Sequence, residues 1–325
     1  MRSKCWIALV VLSSLGACRA IQNPNLPTAE RLNDAQGKGP RVLAVVAHPD
    51  DEISFAGTMY KTANFLDGVC DVAVLTNGEG GFKYATLAES IYGHELTEET
   101  TGRAKLPAIR KRELQAGCRL LGVRNLYFFD QIDHRYTTDL VEVLGPDAKI
   151  WDLARIRLGL HTLMRTNEYD FVLTLAPTTT THAHHQAATL LALEAASSLP
   201  EGERPIVLCR QPRSDEAVPA KATVAGFPPT RAHAAGLVFD RTQKFGHRQR
   251  LDYKIVVNWA IAEHKSQGTM QLLMGVGDDE AYLLFERNPA DAVARAGRLF
   301  EQLAGQQFET REYAPSAGTN AAPSQ

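Results

Sequence analysis

The chain has 325 residues, 44% of them hydrophobic and 22% charged, with a formal net charge of −2. That length suits one large α/β domain with a full core, or two smaller ones. The near-neutral balance leaves no basic stripe for nucleic acid, and no interior run reaches the roughly 18 apolar residues of a membrane span.

The first residues stand apart. Arg2 and Lys4 form a positive n-region and Trp6 to Leu12 a short apolar run, the pattern of an export signal. Leu15-Gly16-Ala17-Cys18 resembles the bacterial lipobox, in which the cysteine is acylated and becomes the mature N-terminus. The expectation is a signal over 1–17 and attachment to the membrane of the bacterial envelope through lipid on Cys18. The alternative is ordinary cleavage after Ala20 and a soluble exported protein. Residues 18–40 hold Asn, Pro, Gly and charge without a sustained apolar period, and read as a tether.

Val42 to Ala47 is β-branched and too short for an ordinary helix, so it reads as a buried parallel strand. Pro49 ends it, having no N–H to donate. His48-Pro49-Asp50-Asp51-Glu52 therefore emerges at the carboxyl end of a core strand, where open α/β sheets bind ligands. One imidazole and three carboxylates in five residues repel one another unless a cation or proton is shared. A metal site is the working expectation.

Ser54 to Leu66 is helical by period. Asp71 to Thr76 is a second strand, ending in Asn77-Gly78-Glu79-Gly80-Gly81, where glycine lets the backbone approach a ligand or a neighbouring loop. Lys83 to Lys105 is polar and reads as a long surface excursion of the kind that is often functional. The helical period returns from Pro107 to Leu121, with Pro107 placed in the first turn. Arg110 and Glu113, three apart, read locally as an exposed ion pair. Asn125 to Phe129 is a third strand, Trp151 to Thr166 an amphipathic helix, and Phe171 to Leu175 a fourth strand.

Thr181-His182-Ala183-His184-His185-Gln186 then leads into an Ala- and Leu-rich helix to about Ala196, with His182 and His185 on one face. Ile206 to Cys209 is a fifth strand, Arg210 to His233 a loop or lid, and Leu237 to Asp240 an edge strand. Tyr253 to Leu273 contains a helix whose end carries His264-Lys265-Ser266-Gln267. Asn288-Pro289 suits the cap and first turn of a last helix to about Ala304. Cys70, Cys118 and Cys209 lack framework spacing and read as small core residues. Strands alternating with helices predict a three-layer α/β/α Rossmann-like sandwich with a mostly parallel sheet.

Catalytic zinc takes three protein ligands and leaves a fourth position to water. His48 and Asp51 from one strand end, with His185 from another, supply two nitrogens and a carboxylate suited to Zn²⁺ or another divalent transition metal. Asp50 is left to take a proton from the activated water, and His182 to donate to an oxyanion. That set describes hydrolysis of an amide.

Ala47-His48-Pro49-Asp50-Asp51-Glu52, followed by a His-x-x-His before an Ala-rich helix, resembles the PIG-L/LmbE family of zinc-dependent N-deacetylases. Thr76-Asn77-Gly78, Arg110-x-x-Glu113 with Leu121-Gly122-Val123, and His264-x-Ser266-Gln267 recur in order, so the likeness covers about Arg41 to Gln267. It implies His48, Asp51 and His185 as metal ligands, Asp50 as general base, and His182 as general acid or oxyanion stabiliser. It also implies Arg110 near the substrate, Ser266-Gln267 supporting the site, and an N-acetylated sugar or glycoconjugate as substrate. The domain would span 41–288, with a C-terminal helix over 289–312 and a disordered tail over 313–325.

One departure matters. The family commonly has Pro-Asp inside its His-x-x-His, and this chain has Ala183-His184. The missing Asp would orient a ligand, so that task is managed differently here, and His184 stands as an alternative ligand. His94, His134, His161, His233 and His247 lack motif context, although His94 and His134 lie beside site-forming segments. Two rival readings are an amidase acting on a thiol–sugar conjugate and a catalytically silent glycan-binding lipoprotein. Asp50 speaks against the second, because binding needs no base.

Overall fold

The computed structural model describes residues 25–211, 227 and 230–305. The expected signal, Cys18, most of the Arg210–His233 loop and the tail after Tyr313 lie outside the described residues. The chain runs through β1 (Thr28–Arg31), β2 (Arg41–Val46), α1 (Ala56–Phe65), β3 (Val69–Thr76), α2 (Thr86–Tyr92), α3 (Glu99–Leu121) and β4 (Asn125–Gln131). Next come α4 (Val141–Leu144), α5 (Leu153–Asn167), β5 (Phe171–Leu175), α6 (Ala183–Ser197), β6 (Ile206–Arg210) and β7 (Ala232–Asp240). A small hairpin of β8 (Lys244–Phe245) and β9 (Leu251–Asp252), then α7 (Tyr253–Glu263), β10 (Asp279–Phe285) and α8 (Ala292–Gly305), complete it.

The period-2 alternation of β2 explains the layers. Val42, Ala44 and Val46 pack with α1, α3, α7 and α8 on one face, while Leu43, Val45 and Ala47 pack with α5 and α6 on the other. Eight strands form the sheet in the order β1-β4-β3-β2-β5-β6-β10-β7. The stretch from β4 to β6 is parallel throughout, and β1 and β10 join it antiparallel. The chain leaves β2 toward β3 on one side and returns to β5 on the other. Its order reverses between β2 and β5, which opens a crevice at their carboxyl ends. His48 follows one of these strands and the 182–185 histidines follow the other. The three-layer, mostly parallel α/β sandwich is the observed fold.

Several local expectations are corrected. The stretch taken as tether includes β1, whose residues Thr28–Arg31 pair with Asn125–Phe128. The excursion from Lys83 to Lys105 is largely helical: it contains α2 and the first two turns of α3. Phe82, Ala85, Ala88, Leu96, Leu106 and Ile109 give it a small core of its own. Pro107 therefore lies inside α3 and not at its start; the helix is capped by Glu98, whose carboxylate accepts from the N–H groups of Thr100 and Thr101. Asn288 does not cap the last helix. Its side chain bonds the backbone N–H and C=O of Val207, at 2.7 and 2.8 Å, and ties the chain to β6. The three core cysteines are free and buried.

Candidate metal centre and active site

The turn after β2 is built by its own carboxylates. Asp51 Oδ2 accepts from the backbone N–H groups of Ala47 (3.0 Å) and His48 (2.9 Å), which aims its other oxygen across the crevice. Asp50 adopts φ 139°, a conformation that costs a non-glycine residue about 1–3 kcal/mol. Its N–H is held by Glu52 Oε2 at 3.0 Å. Glu52 Oε1 in turn meets His264 Nε2 at 2.6 Å, with both side chains fully buried. Glu52 thus braces the turn against the distant His264-x-Ser266-Gln267 motif and does not face the cation set.

Across the crevice, His182 caps α6. Its Nδ1 accepts from the His184 N–H at 3.1 Å, so its ring hydrogen sits on Nε2. His185 lies one turn further, with Nδ1 against Thr181 Oγ1 at 3.2 Å and Nε2 turned to the β2 end. Three donors then converge. His48 Nδ1 is 3.1 Å from His185 Nε2, His185 Nε2 is 3.2 Å from Asp51 Oδ1, and His48 Nδ1 is 3.6 Å from Asp51 Oδ2. The edge of a tetrahedron of nitrogen and oxygen donors at zinc bond lengths is about 3.3–3.4 Å. The three donors fit such an ion in number, type and spacing.

The charges agree. Burial alone would lower the His48 pKa, but Asp51 as hydrogen-bond partner and the Asp133, Asp51 and Asp50 carboxylates raise it to about 9. Burial likewise opposes ionisation of Asp51, yet the His185 and His48 rings hold it well below the usual carboxylate range. A proton is thereby drawn onto His48, and a divalent cation would displace it.

Asp50 is different. Burial and the neighbouring Asp51 push its pKa up to about 7, against the opposing charges of His264, Arg110 and His48. Arg110 is buried, 1% exposed, beneath the glycine loop, where Nη1 donates to the Gly78 carbonyl. Its Nε and Nη2 have no hydrogen-bond partner among the described residues. Gly78 (φ +71°) and Gly81 leave room for it, since a Cβ at either would fall 2.5 or 2.8 Å from the guanidinium. Arg110, expected near the substrate, is buried against the glycine loop and lowers the Asp50 pKa by its charge. Glu113 is no exposed ion-pair partner; it accepts from Ser266 N–H (2.9 Å), Ser266 Oγ (2.6 Å) and Tyr92 Oη (2.8 Å).

Residues 43–196 match the PIG-L family, described as GlcNAc-PI de-N-acetylase. The match covers 154 of the 325 residues, just under half of the chain. The enzyme which that description names is an N-deacetylase, a hydrolase of the amide C–N bond. The fold is similar to that of the N,N'-diacetylchitobiose deacetylase of Pyrococcus horikoshii, at 20% identity, TM-score 0.48, over 77% of this chain and 87% of that one. It is also similar to the A40926 pseudoaglycone deacetylase Dbv21, at 18% identity, TM-score 0.48, over 79% and 100%. A third likeness is to GalB, the 4-carboxy-2-hydroxymuconate hydratase of Pseudomonas putida KT2440, at 18% identity, TM-score 0.46, over 76% and 96%. Among curated proteins, none matches the chain.

Beside the donor set, the protein opens a cavity of about 270 Å³. Ile53, Ser54, Leu175, Thr181, Arg210 and Ile261 line it, so it joins the turn after β2 to the start of α6. His184, weighed as a ligand, is fully buried and turns its Nδ1 to His48 Nε2 and its Nε2 to His134. Asp133, His134 and Glu142 were not singled out from sequence as site residues. Asp133 and His134 follow the carboxyl end of β4, so the strand-end rule that marked His48 also applied there. Glu142, on the short α4, carried no such signal.

Proposed function

We propose that this protein is a zinc-dependent hydrolase that removes the acetyl group from an N-acetylglucosamine-type sugar or glycoconjugate. The observation that carries the reading is the convergence of His48, Asp51 and His185, with Asp50 beside them poised at about 7. Zinc held by those three residues would polarise the amide carbonyl and ease deprotonation of the attacking water. Asp50 accepts that water's proton, and a carboxyl poised near neutral pH can pass it on to the leaving amine. His182 is lowered to about 3 by burial and the nearby His48 charge, so it stays neutral. Its Nε2–H is then a donor to the developing oxyanion, and Asp50 carries both proton transfers. Arg110 steadies the Asp50 anion by its charge. The cavity beside the site would receive the rest of the sugar or its aglycone.

The poised Asp50 would be superfluous in a silent glycan-binding protein. Metal analysis with acetate release from N-acetylated glycans tests the reading. Asp50→Ala should retain zinc and lose at least 100-fold in turnover, and normal turnover in that variant would sink it. The proposal extends to export and lipid attachment at Cys18 in the bacterial envelope, supported by the charged start, the apolar run and the lipobox-like tetrapeptide.

A further inference from the structure

Behind the donor set runs a row of side chains with every ring nitrogen at hydrogen-bond distance from the next. His48 Nε2 meets His184 Nδ1 at 3.1 Å, His184 Nε2 meets His134 Nδ1 at 3.0 Å, and His134 Nε2 meets Glu142 Oε2 at 3.3 Å. A carboxylate can only accept, so a neutral His134 carries its hydrogen on Nε2. His134 Nδ1 then accepts from His184 Nε2–H, and His184 Nδ1 accepts from His48 Nε2–H. The atom left to bind a cation is His48 Nδ1, which faces Asp51 and His185.

We propose that Glu142, acting through His134 and His184, orients His48 and fixes its tautomer so that Nδ1 presents its lone pair to the metal. The inference rests on His48, Asp51 and His185 being the metal set. Glu142, His134 and His184 are positioning residues. They meet, by relay, the need of a metal-bound imidazole for an acceptor on its other nitrogen.

The surroundings support a fixed polarity. Arg135 Nη2 donates to Glu142 Oε1 at 2.7 Å, which leaves Oε2 to His134 and favours the ionised carboxylate. Trp151 packs its ring 5.0 Å from that of His184 and anchors its own Nε1–H on the Ile132 carbonyl, which walls the row in. Asp133 has Oδ2 engaged by the Gly80 N–H at 3.0 Å, while Oδ1 stands 3.5 Å from His184 Nδ1. His48, Asp133, His182 and His184 are close enough together to hold a second cation. The row instead assigns His48 Nε2 and His184 Nδ1 to each other.

Zinc affinity, measured by chelator competition on the full chain at fixed pH, separates these outcomes. Glu142→Ala and His134→Phe should each weaken zinc binding by about 10- to 100-fold. In a His184→Asp background a carboxylate can accept from His48 directly, and Glu142→Ala should then have no further effect. Nitrogen-15 NMR should place the His134 hydrogen on Nε2 in the parent and show mixed tautomers in Glu142→Ala. Unchanged zinc affinity in both single variants overturns the relay, as does an equal loss on Glu142→Ala in the His184→Asp background. Two zinc ions per chain, the second lost on Asp133→Asn, would give the inner donors to a second cation instead. A parent that binds no zinc through His48 and Asp51 fails at the earlier step, the metal site itself.

Discussion

Replacing Glu52 tests how the catalytic turn is held. The carboxylate makes two bonds in a fully buried place: one to His264 Nε2 at 2.6 Å and one to the Asp50 N–H at 3.0 Å. Glu52→Ala removes both. Breaking a buried charged pair on one side costs about 3–5 kcal/mol, because the other member is left without its counter-charge. For a domain of this size that is a fall in Tm of roughly 6–20 °C. Glu52→Gln is milder. Its single oxygen keeps the Asp50 N–H, and its –NH₂ faces His264 Nε2, which must give up its hydrogen. The Nε2 proton of the imidazolium is lost to solvent and the ring keeps its hydrogen on Nδ1, which has no partner among the described residues, so no other bond is broken. The exchange of a charge-assisted bond for a neutral one is worth about 1–2 kcal/mol. Urea unfolding of the two variants and the parent measures both figures, and zinc binding separates loss of fold from loss of the turn. An Ala variant within about 1 kcal/mol of the parent would refute the reasoning.

Gly78→Ala should strain a φ of +71° and push on the Arg110 guanidinium; with the cation displaced, the Asp50 pKa rises and the acid limb of the pH–rate profile moves to higher pH. Lys61, almost fully buried with Gln243 Oε1 at 2.7 Å, has its pKa lowered by burial to about 8. Between that value and its unfolded one the unfolded chain binds a proton that the folded chain does not, so stability rises with pH from about 8 to 10. Urea midpoints at pH 8, 9 and 10 should show the rise in the parent and a flatter line in Lys61→Met. Cys18→Ser should abolish labelling by a fatty-acid probe in cells, and persistence of the label would remove the lipid anchor from the proposal.

The parts of the fold that were legible are those whose burial is written in consecutive residues. Val42–Ala47, Asp71–Thr76 and Phe171–Leu175 are buried on both faces, so their apolar runs are continuous and cannot be mistaken. β1 was not legible because an edge strand of four mostly exposed residues has no apolar signature; only its pairing with β4 makes it a strand. α2 and the start of α3 were missed for a related reason. Their core is a few small or scattered residues, among them Ala85, Ala88 and Leu96, too sparse to stand out as a period. In the site, His48 to Glu52 announced itself by charge density at a strand end. His134 and Glu142 did not, since their significance lies in the ring nitrogen each one completes, Nε2 of His184 for His134 and Nε2 of His134 for Glu142, and that is set by three-dimensional contact alone.

The reversal of strand order between β2 and β5 has a consequence for the mechanics of the molecule. His48 and His185 are 137 positions apart, and the chain between them includes β3, β4 and β5 with their helices. A cation gripped by both would act as a clasp across the middle of the sheet, closing a long loop that the unfolded chain leaves open. Occupancy of the metal centre and cohesion of the central seam would then be one property, and a chelator would loosen the fold from its middle outward.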